Sequence, residues 1–403
     1  MDVFKVPASE IENRQHLLQR RMQAADIDGL LIVQRVDLLY LSGTAQNAVL
    51  YIPVEGDPVL YVRRDLTRAK AESPLEHVVG IDSIQELPRR ILDFHRGLPQ
   101  RLGLELDVMP VRDYRFYRGL FPQTACLDGS PLILDTRKIK SRWEIEQMVR
   151  TAEMSRQTFA FMQNAIQSGM TEMEFAGVYE TYARRLGHGG KLRTRHFLAE
   201  AYPWHVLSGE NGGKVGMLDA PFSGEGTSIA FPCGAGHRPL AENEPILIDF
   251  GAVLNGYHMD ETRMFAIGAM PEPALKACRI AIEIHQALIE KIKPGVRAGM
   301  IFDAGLKLAQ EFGYGDHYLG PPGANVRFVG HGIGLELVEP PYIAAGKDDL
   351  LEAGMTFALE PKFCFPNQYA AGIESVVRVT DTGASLISRV PVEVFICNGS
   401  GPE

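Results

Sequence analysis

The alternation of hydrophobic and polar positions divides the N-terminal third of the chain into short helices and strands. Apolar residues recur with near-helical spacing after Ser9, which predicts an amphipathic helix with Ser9 as its N-cap. Short apolar runs bounded by turn residues predict strands. In chain order the predicted elements are a helix at 9–25, a strand at 28–33, a hairpin at 47–64, a helix near 82–96, a strand at 101–107 and a helix near 110–119. This order predicts an α/β N-terminal domain over residues 1–135.

Longer helices and apolar hairpins mark a second region. Ser141 and Thr171 are each followed three residues later by a glutamate, which is the capping-box pattern at the start of a helix. Helix, helix and hairpin follow one another twice, over 141–265 and over 272–380, with the second helix pair at 272–291 and 297–312. We predict an α+β domain with two similar halves over residues 136–403, joined to the first domain by the basic segment 137–141 as a linker.

Composition and charge exclude several functional classes. A chain of 403 residues is long for one ordinary core, which agrees with two domains. The net charge of −9, without a long Lys/Arg run, argues against nucleic acid or an anionic membrane as a partner. Five scattered cysteines without a CxxC spacing predict free thiols in a reducing compartment. No apolar run approaches the ~20 residues of a membrane span, so we expect a cytoplasmic protein.

The candidate chemistry is concentrated in two apolar hairpins that each carry a pair of carboxylates. Asp249 and Asp260 lie in PILIDFGAVLNGYHMDETRM, and Glu360 and Glu374 lie in GMTFALEPKFCFPNQYAAGIESVV. Each hairpin is predicted to have one carboxylate in each of its two strands. Between the hairpins, His331 stands among glycines in VGHGIG. Aspartate and glutamate are rarely buried unless a partner neutralises them, so these positions require an explanation.

Four carboxylates brought together repel one another unless cations neutralise them. The basic residues near the hairpins are few, namely Arg263, Lys362 and Arg378, so divalent metal ions are the more economical source of positive charge. Four carboxylates and one imidazole suit a pair of Mn, Fe, Co or Zn ions. Taken singly, each carboxylate could satisfy an arginine or backbone amides, and His331 could be incidental to a tight glycine turn. The five side chains together predict a dinuclear metal centre.

The two hairpins and the His331 segment resemble the pita-bread metallohydrolases, which include aminopeptidase P, prolidase, methionine aminopeptidase and creatinase. The resemblance is carried by IDFGAVLNGYHMDETRMF, GHGIGLELVEPP, LEP and GIESVV, and it extends over essentially the whole chain. Residues 1–135 resemble the smaller N-terminal domain of the creatinase/prolidase branch, whose members are usually homodimers. The resemblance therefore implies a pita-bread catalytic domain with a pseudo-two-fold repeat in residues 136–403, and a homodimeric assembly.

The resemblance also implies a role for each candidate side chain. Asp249 would chelate one metal ion, and Asp260 and Glu374 would bridge both ions. His331 and Glu360 would complete the coordination of the second ion. Thr262 and Arg263 would lie behind the ligands and orient them. A metal-bridging hydroxide would attack an amide carbonyl, with Glu360 as general base and proton shuttle. We predict two divalent ions, with Mn as the first expectation and Co, Zn or Fe as alternatives.

The substrate-binding positions depart from the pattern of the proline-specific members. Those members carry a histidine seven residues after the GHGIG histidine, where this chain has Val338, and another about seventeen residues before the first aspartate, where it has Pro232. They often have an arginine two residues before the last glutamate, where this chain has Gly372. The residues predicted to bind substrate instead are His205, His237, His258 and Tyr342, with Tyr202 and Trp204 as further pocket-lining candidates.

Three functional hypotheses follow. The first is a dinuclear-metal-dependent hydrolase of the Xaa-Pro aminopeptidase/dipeptidase type, acting on small peptides. The second is a creatinase-like hydrolase of a small non-peptide amide or C–N compound, which the substituted histidine positions favour. Creatinase itself departs from the metal-binding pattern, whereas this chain keeps every ligand position. The third is a non-catalytic binding protein with the same fold, although such a protein has no need to hold four carboxylates together.

Overall fold

The structure is a computed structural model that describes residues 4–196 and 205–398. The chain forms two compact units. The first contains the described residues up to Arg137 together with Arg195 and His196, and the second contains the described remainder from Lys138 onward. Within the described ranges, no helix is long and apolar enough to cross a membrane. The domain limits predicted from the sequence, 1–135 and 136–403, stay a prediction.

The first unit is a mixed β-sheet accompanied by helices. Its helices, the last of which ends at the unit boundary, are α1 (Ala8–Ala24), α2 (Arg35–Ser42), α3 (Leu66–Glu72), α4 (Leu87–His95), α5 (Val111–Leu120) and α6 (Ser130–Lys138). Its strands are β1 (Gly29–Ile32), β2 (Ala48–Pro53), β3 (Val59–Val62), β4 (Val78–Gly80), β5 (Arg101–Leu104) and β6 (Ala125–Asp128). They pair in the order β4-β3-β2-β1-β5-β6, and a core that includes Leu31, Tyr51 and Leu102 lies against the sheet.

The elements predicted for this unit are confirmed, with two corrections. Helix α1 begins at Ala8, and Pro7 precedes it without any side-chain cap, so Ser9 lies inside the first turn. The fixed φ of proline makes this start favourable without a capping hydroxyl. The segment 137–141 is not a solvated linker, because Arg137 belongs to α6 and is buried against Asp37, and Lys140 is buried in an ion pair with Glu339.

A buried cluster of charges lies beside the sheet of the first unit. Asp37 accepts hydrogen bonds from Arg137 and Arg195, each at 2.7 Å. Burial alone would raise the pKa of Asp37, but the two guanidinium groups outweigh it and hold that pKa below its usual value. Glu105 accepts bonds from the two backbone N–H groups that follow β1, at 2.7 and 2.9 Å. Burial and the neighbouring Asp37 charge raise the pKa of Glu105 well above its usual value.

We expect Glu105→Gln to raise the unfolding free energy relative to the wild type, and to raise it more at neutral pH than at acidic pH. A carboxyl whose pKa is raised on folding contributes stability below its unfolded pKa of about 4.3, and this contribution is lost as the pH rises towards the folded value. Glutamine keeps an acceptor for the two backbone N–H groups that follow β1 and carries no charge. The difference in unfolding free energy between variant and wild type should grow by about 1 kcal/mol or more from pH 5 to pH 8. Urea unfolding at both pH values measures it, with the exposed Glu146→Gln as control, and parallel pH profiles for the wild type and Glu105→Gln would contradict it.

The second unit carries two helix pairs, each followed by antiparallel strands. Its helices are α7 (Arg142–Ala165), α8 (Glu172–Arg185), α9 (Glu272–Lys291) and α10 (Ala298–Glu311). Its strands are β7 (His205–Ser208), β8 (Ile246–Leu254), β9 (Tyr257–Ile267), β10 (Phe328–Gly332), β11 (Glu339–Ala344), β12 (Thr356–Leu359), β13 (Lys362–Phe365), β14 (Tyr369–Gly372), β15 (Ser375–Val379), β16 (Ala384–Leu386) and β17 (Phe395–Cys397). The capping boxes at Ser141 and Thr171 are both present, as predicted.

One core supports the strands that carry the candidate side chains. Strands pair in the order β17-β9-β8-β7 in one sheet and β11-β10-β12-β15-β16 in another. Leu247 of β8, Ile284 of α9 and Phe357 of β12 belong to the same buried cluster. Both sheets are therefore packed against common helices, which fixes the positions of their strands.

The second carboxylate hairpin is bent, which corrects the sequence prediction. Strand β12 pairs with β15, while β13 and β14 pair with each other as a separate ribbon. Asp249 and Asp260 lie within strands, but Glu360 and Glu374 lie at the two junctions between these ladders. Pro361 follows Glu360 and has no N–H to continue the pairing, which accounts for the break there.

Candidate metal centre

The first hairpin places its polar side chains on one face of its sheet. His205 of β7 lies opposite Asp249 of β8, and Asp249 lies opposite Thr262 of β9. Opposed residues share a face and side chains alternate along a strand, so Asp260, two residues before Thr262, points to the same side. The hairpin thus brings Asp249 and Asp260 to one surface.

Thr262 joins the two hairpins. Its Oγ1 donates to Glu374 Oε2 at 2.8 Å, and the Glu374 N–H donates to the Thr262 carbonyl at 3.2 Å. These bonds fix the Glu374 carboxylate beside β9. The contact supports the orienting role expected for Thr262, and the bend in the second hairpin brings Glu360 to the same place.

His331 comes from β10, between two glycines with closely packed neighbours. A Cβ at either Gly330 or Gly332 would overlap a carbonyl oxygen of an adjacent strand. The glycines are therefore needed for close strand packing, and they do not form a tight turn. The imidazole Nε2 of His331 lies 3.7 Å from both Asp260 Oδ2 and Glu360 Oε1.

A lysine lies in the middle of the carboxylates. The Nζ of Lys362 donates to three of them: Asp249 Oδ2 at 3.0 Å, Glu360 Oε2 at 2.9 Å and Glu374 Oε2 at 2.7 Å. Its side chain is only 3% exposed. The ammonium therefore already supplies one of the positive charges that the carboxylates require.

The pKa values divide the carboxylates into two groups. Burial alone would raise the pKa of Asp249, but the Lys362 ammonium, through its charge and its hydrogen bond, holds it below its usual value. Burial, together with neighbouring carboxylates, raises the pKa of Asp260 well above its usual value. Burial also raises the pKa of Glu374 to about 8, although Lys362 opposes the shift. The three carboxylates raise the pKa of Lys362 despite its burial, so it is charged, and the unmet demand for positive charge lies near Asp260 and Glu374.

The donor atoms on the His331 side fit one divalent metal ion. Asp260, His331 and Glu374 each offer a ligand atom, and these atoms lie within 4.8 Å of one another. Two carboxylates and an imidazole are a suitable set for Mn, Fe, Co or Zn. On the other side, the Lys362 ammonium already binds Asp249 and Glu374, where a second ion would need its ligands. The number of ions, two by the sequence argument, stays a prediction.

Arg263 lies behind this centre and supports its backbone. The guanidinium donates to the carbonyl oxygens of Thr262 and Glu374 and to the Ser375 hydroxyl. It thereby holds the segment that carries Glu374 against β9, and its role in orienting the ligands stays a prediction.

Two of the predicted substrate-binding residues lie close to the centre. His205 is buried and lies directly opposite Asp249 in the β7–β8 ladder. Burial lowers the pKa of His205, which favours the neutral imidazole. Tyr342 of β11 lies opposite His331 and is 39% exposed. Both are suitably placed to contact a molecule bound beside the carboxylates.

The other predicted substrate residues are placed differently. The prediction that His258 faces the site is wrong, because its Nδ1 lies 3.1 Å from the Gly334 carbonyl oxygen and its Nε2 accepts the Arg193 N–H at 3.1 Å. It is fully buried by these backbone contacts. His237 is exposed, and the residues on either side of it bond to Glu172 and Glu244. Tyr202 and Trp204 lie outside the described residues.

A cavity of about 760 Å³ opens beside His331. Its wall includes Val338 and Tyr342, and its charged lining residues are Asp219, Arg327 and Lys347. Val338 stands where the proline-specific pattern has a histidine, so the substitution faces the space next to the candidate metal ligands.

Lys362 is the functional residue that the sequence argument missed, although its signal was present. It stands two residues after Glu360 in LEPKFCF, and alternation in extended chain places such residues on one face. A lysine in an apolar run is as unusual as a carboxylate there. The argument that singled out the four acids therefore applies equally to Lys362.

Known proteins resemble this chain over nearly its full length. Residues 146–381 match Metallopeptidase family M24, and residues 14–139 match the Creatinase/Prolidase N-terminal domain. The chain is 25% identical over 392 residues to the Xaa-Pro dipeptidase of Pyrococcus furiosus. This alignment covers 96% of this chain and 100% of that protein.

Solved structures share the fold. The X-Pro aminopeptidase from Thermotoga maritima has a TM-score of 0.79 at 24% identity, over 95% of this chain and 99% of that one. The Xaa-Pro dipeptidase from Bacillus anthracis has a TM-score of 0.81 at 22% identity, and the match covers 96% of this chain and 99% of that one. The predicted α/β N-terminal domain followed by a pita-bread α+β domain is thereby confirmed.

Proposed function

The chain belongs to metallopeptidase family M24, and on this basis we propose that it is a metal-dependent peptidase that cleaves Xaa-Pro dipeptides and short Xaa-Pro peptides. Because its relatives are peptidases, the protein is an enzyme, and the hypothesis of a non-catalytic binding protein is set aside. The observation that carries the proposal is the cluster of Asp260, His331 and Glu374 beside the cavity.

The proposed chemistry uses one ion and the acids around it. A divalent ion held by Asp260, His331 and Glu374 would supply Lewis-acid polarisation of the scissile carbonyl and a lowered pKa for a water that it binds. Glu360 Oε2 accepts a bond from Lys362, while its Oε1 faces His331. This fixes the carboxylate with one oxygen directed towards the proposed ion. We assign Glu360 as the general base that takes the proton of the attacking water and returns it to the leaving nitrogen.

The cavity supports a small peptide with a free carboxylate as the substrate. Val338 and Tyr342 provide an apolar and aromatic wall beside His331 for a prolyl ring. Arg327 and Lys347 line the same cavity and offer cations for a C-terminal carboxylate. This arrangement favours dipeptides over long chains, because the carboxylate of a dipeptide lies close to its scissile bond.

We expect Arg327→Met to weaken the binding of Xaa-Pro dipeptides. Arg327 is exposed, so its ion pair with the substrate is worth about 1 kcal/mol, which corresponds to a roughly fivefold higher KM with little change in kcat. The same dipeptide with an amidated C-terminus serves as the control substrate, and its KM should be the same for both enzymes. An equal rise in KM for the acid and the amide would refute the assigned contact.

A substrate panel tests the proposed function. Metal-stripped protein is supplied with Mn or Co and assayed on Xaa-Pro dipeptides, longer Xaa-Pro peptides, matched peptides without proline, and small amides that include creatine. We expect cleavage of the Xaa-Pro bond, fastest in dipeptides. Cleavage of small amides alone would establish the creatinase-like alternative, and failure to cleave any Xaa-Pro peptide would refute the proposal.

Three finer expectations accompany the proposal. Mn is the expected ion, with Co, Zn and Fe as alternatives, since all four accept carboxylate and imidazole ligands. A homodimer and a cytoplasmic location stay predictions. Metal analysis of protein purified without added metal, sedimentation, and fractionation of the source cells would test them separately.

A further inference from the structure

We propose that Lys362 takes the place of one of the two metal ions, so that each chain binds a single divalent ion. The inference rests on the proposed metal-dependent function for the presence of that ion, but the role of Lys362 is argued from its own contacts. The ammonium lies among Asp249, Glu360 and Glu374, and the ion lies on the side of Asp260 and His331.

The hydrogen bonds of the ammonium are fully used. Lysine has three N–H donors, and Lys362 directs them to three carboxylates that come from three separate segments of the chain. All three distances, from 2.7 to 3.0 Å, are those of charge-assisted bonds. A second ion on this side would compete with Lys362 for the same carboxylates and would place like charges next to each other in a buried site.

The carboxylate oxygens are divided between the two cations. Glu360 directs Oε2 to Lys362 and Oε1 towards His331. Glu374 Oε2 accepts bonds from Lys362 and Thr262, which leaves Oε1 for an ion. Asp249 therefore becomes a partner of the lysine, while the remaining oxygens and the imidazole suffice for one ion.

The packing around Lys362 holds its stem in place. Gly372 lies directly opposite Lys362 in the β13–β14 ladder, and a Cβ added there would come within 2.6 Å of Lys362 Cγ. The ring of Phe222 lies 5.6 Å from the ammonium. The absence of a side chain at residue 372 thus makes room for the lysine, and the two residues act as a pair. The residue is only 2% exposed, so the ammonium is held among the carboxylates inside the protein.

Metal stoichiometry tests the inference. Wild type, Lys362→Met and Lys362→Gln are stripped, loaded with excess Mn, desalted and analysed for metal per chain. We expect about one ion in the wild type and about two in the lysine variants, because their three released carboxylates can then bind a second ion. The Mn EPR spectrum gives an independent readout, with an isolated ion in the wild type and a magnetically coupled pair in the variants.

Two further variants sharpen the test. Lys140→Met removes another buried lysine of the same unit, whose partner is Glu339, and it should leave the stoichiometry at about one. Asp249→Asn should also keep about one ion, because Asp249 is assigned to the lysine; in a dinuclear centre it would lose an ion.

Two ions or none in the wild type would overturn the inference, and so would a single ion in both Lys362→Met and Lys362→Gln. If these variants do not fold, the wild-type ratio and its EPR spectrum decide between one ion and two. Peptide cleavage is measured separately, so that a failure of the proposed function is distinguished from a failure of the stoichiometry.

Discussion

Asp260→Asn should abolish peptide hydrolysis while leaving the protein folded. Asp260 lies beside His331 and supplies a charged ligand to the proposed ion. Loss of the ion removes several kcal/mol of transition-state stabilisation, so kcat/KM should fall by at least about 10³-fold. Steady-state cleavage of an Xaa-Pro dipeptide in saturating Mn measures the effect.

The stability of the metal-free protein separates this prediction from simple misfolding. The raised pKa of Asp260 means that its charge is disfavoured in the folded state at neutral pH, so asparagine should maintain or raise the thermal midpoint. Added Mn should stabilise the wild type by mass action and have no such effect on the variant.

Asp249→Asn is the matched control, because its pKa shift has the opposite sign. The lowered pKa of Asp249 means that its charge stabilises the fold through Lys362, so the variant should melt at a lower temperature without metal. If Asp260→Asn retained activity and metal-dependent stabilisation, the assigned ion site would be wrong. Equal destabilisation by both substitutions would contradict the division of the carboxylates.

Glu360→Gln should lower kcat by about 10² to 10⁴-fold with little change in KM, which is the usual range for loss of a general base. Glutamine can still accept the bond from Lys362, so the local structure should persist. The defect should therefore lie in proton transfer. Pre-steady-state and steady-state cleavage of the same dipeptide measure kcat and KM separately.

Metal analysis of the same Glu360→Gln sample serves as its control. The bound metal per chain should match that of the wild type, since the His331 side keeps its own ligand atoms in Asp260 and Glu374. A variant with normal metal content and normal kcat would remove Glu360 from its proposed role. If extra metal restored the kcat of Glu360→Gln, Glu360 would be a metal ligand and not the general base.

Much of this fold was predictable because its signals are local. Capping boxes at Ser141 and Thr171 depend on residues three apart, and both form as the sequence predicts. The carboxylates of the first hairpin could be placed on one face because strand alternation is strict, and Asp249 and Asp260 share that face. The candidate site was recognisable because buried carboxylates cost free energy unless a partner neutralises them, so acids in apolar runs indicate such a partner.

The sequence predictions failed where the surroundings of a side chain or the partner of a strand are set by segments far away in the sequence. Alternation places His258 on the same face as Asp260, but only the fold brings the Gly334 carbonyl and the Arg193 amide against its ring. Similarly, the break at Glu360 depends on a change of strand partner, which no local pattern records. These outcomes are set by long-range packing.

The sequence could have placed Lys362 beside Glu360, but it could not show that the lysine binds three carboxylates at once. Its spacing from Glu360 indicates a shared face, whereas its bond to Asp249 joins it to the other hairpin, and its bond to Glu374 depends on how its own hairpin bends. Counting basic residues near the hairpins therefore underestimated the charge that a single lysine supplies. The same residue changes the expected number of ions.

The central claim, metal-dependent hydrolysis at this cluster, is tested most directly by titrating metal into stripped protein. Mn bound per chain and the rate of Xaa-Pro dipeptide cleavage are measured at each step, in parallel with Asp260→Asn. We predict that the rate rises in proportion to bound Mn in the wild type and stays at background in the variant. Full activity in wild-type protein that has been stripped of metal would contradict the account.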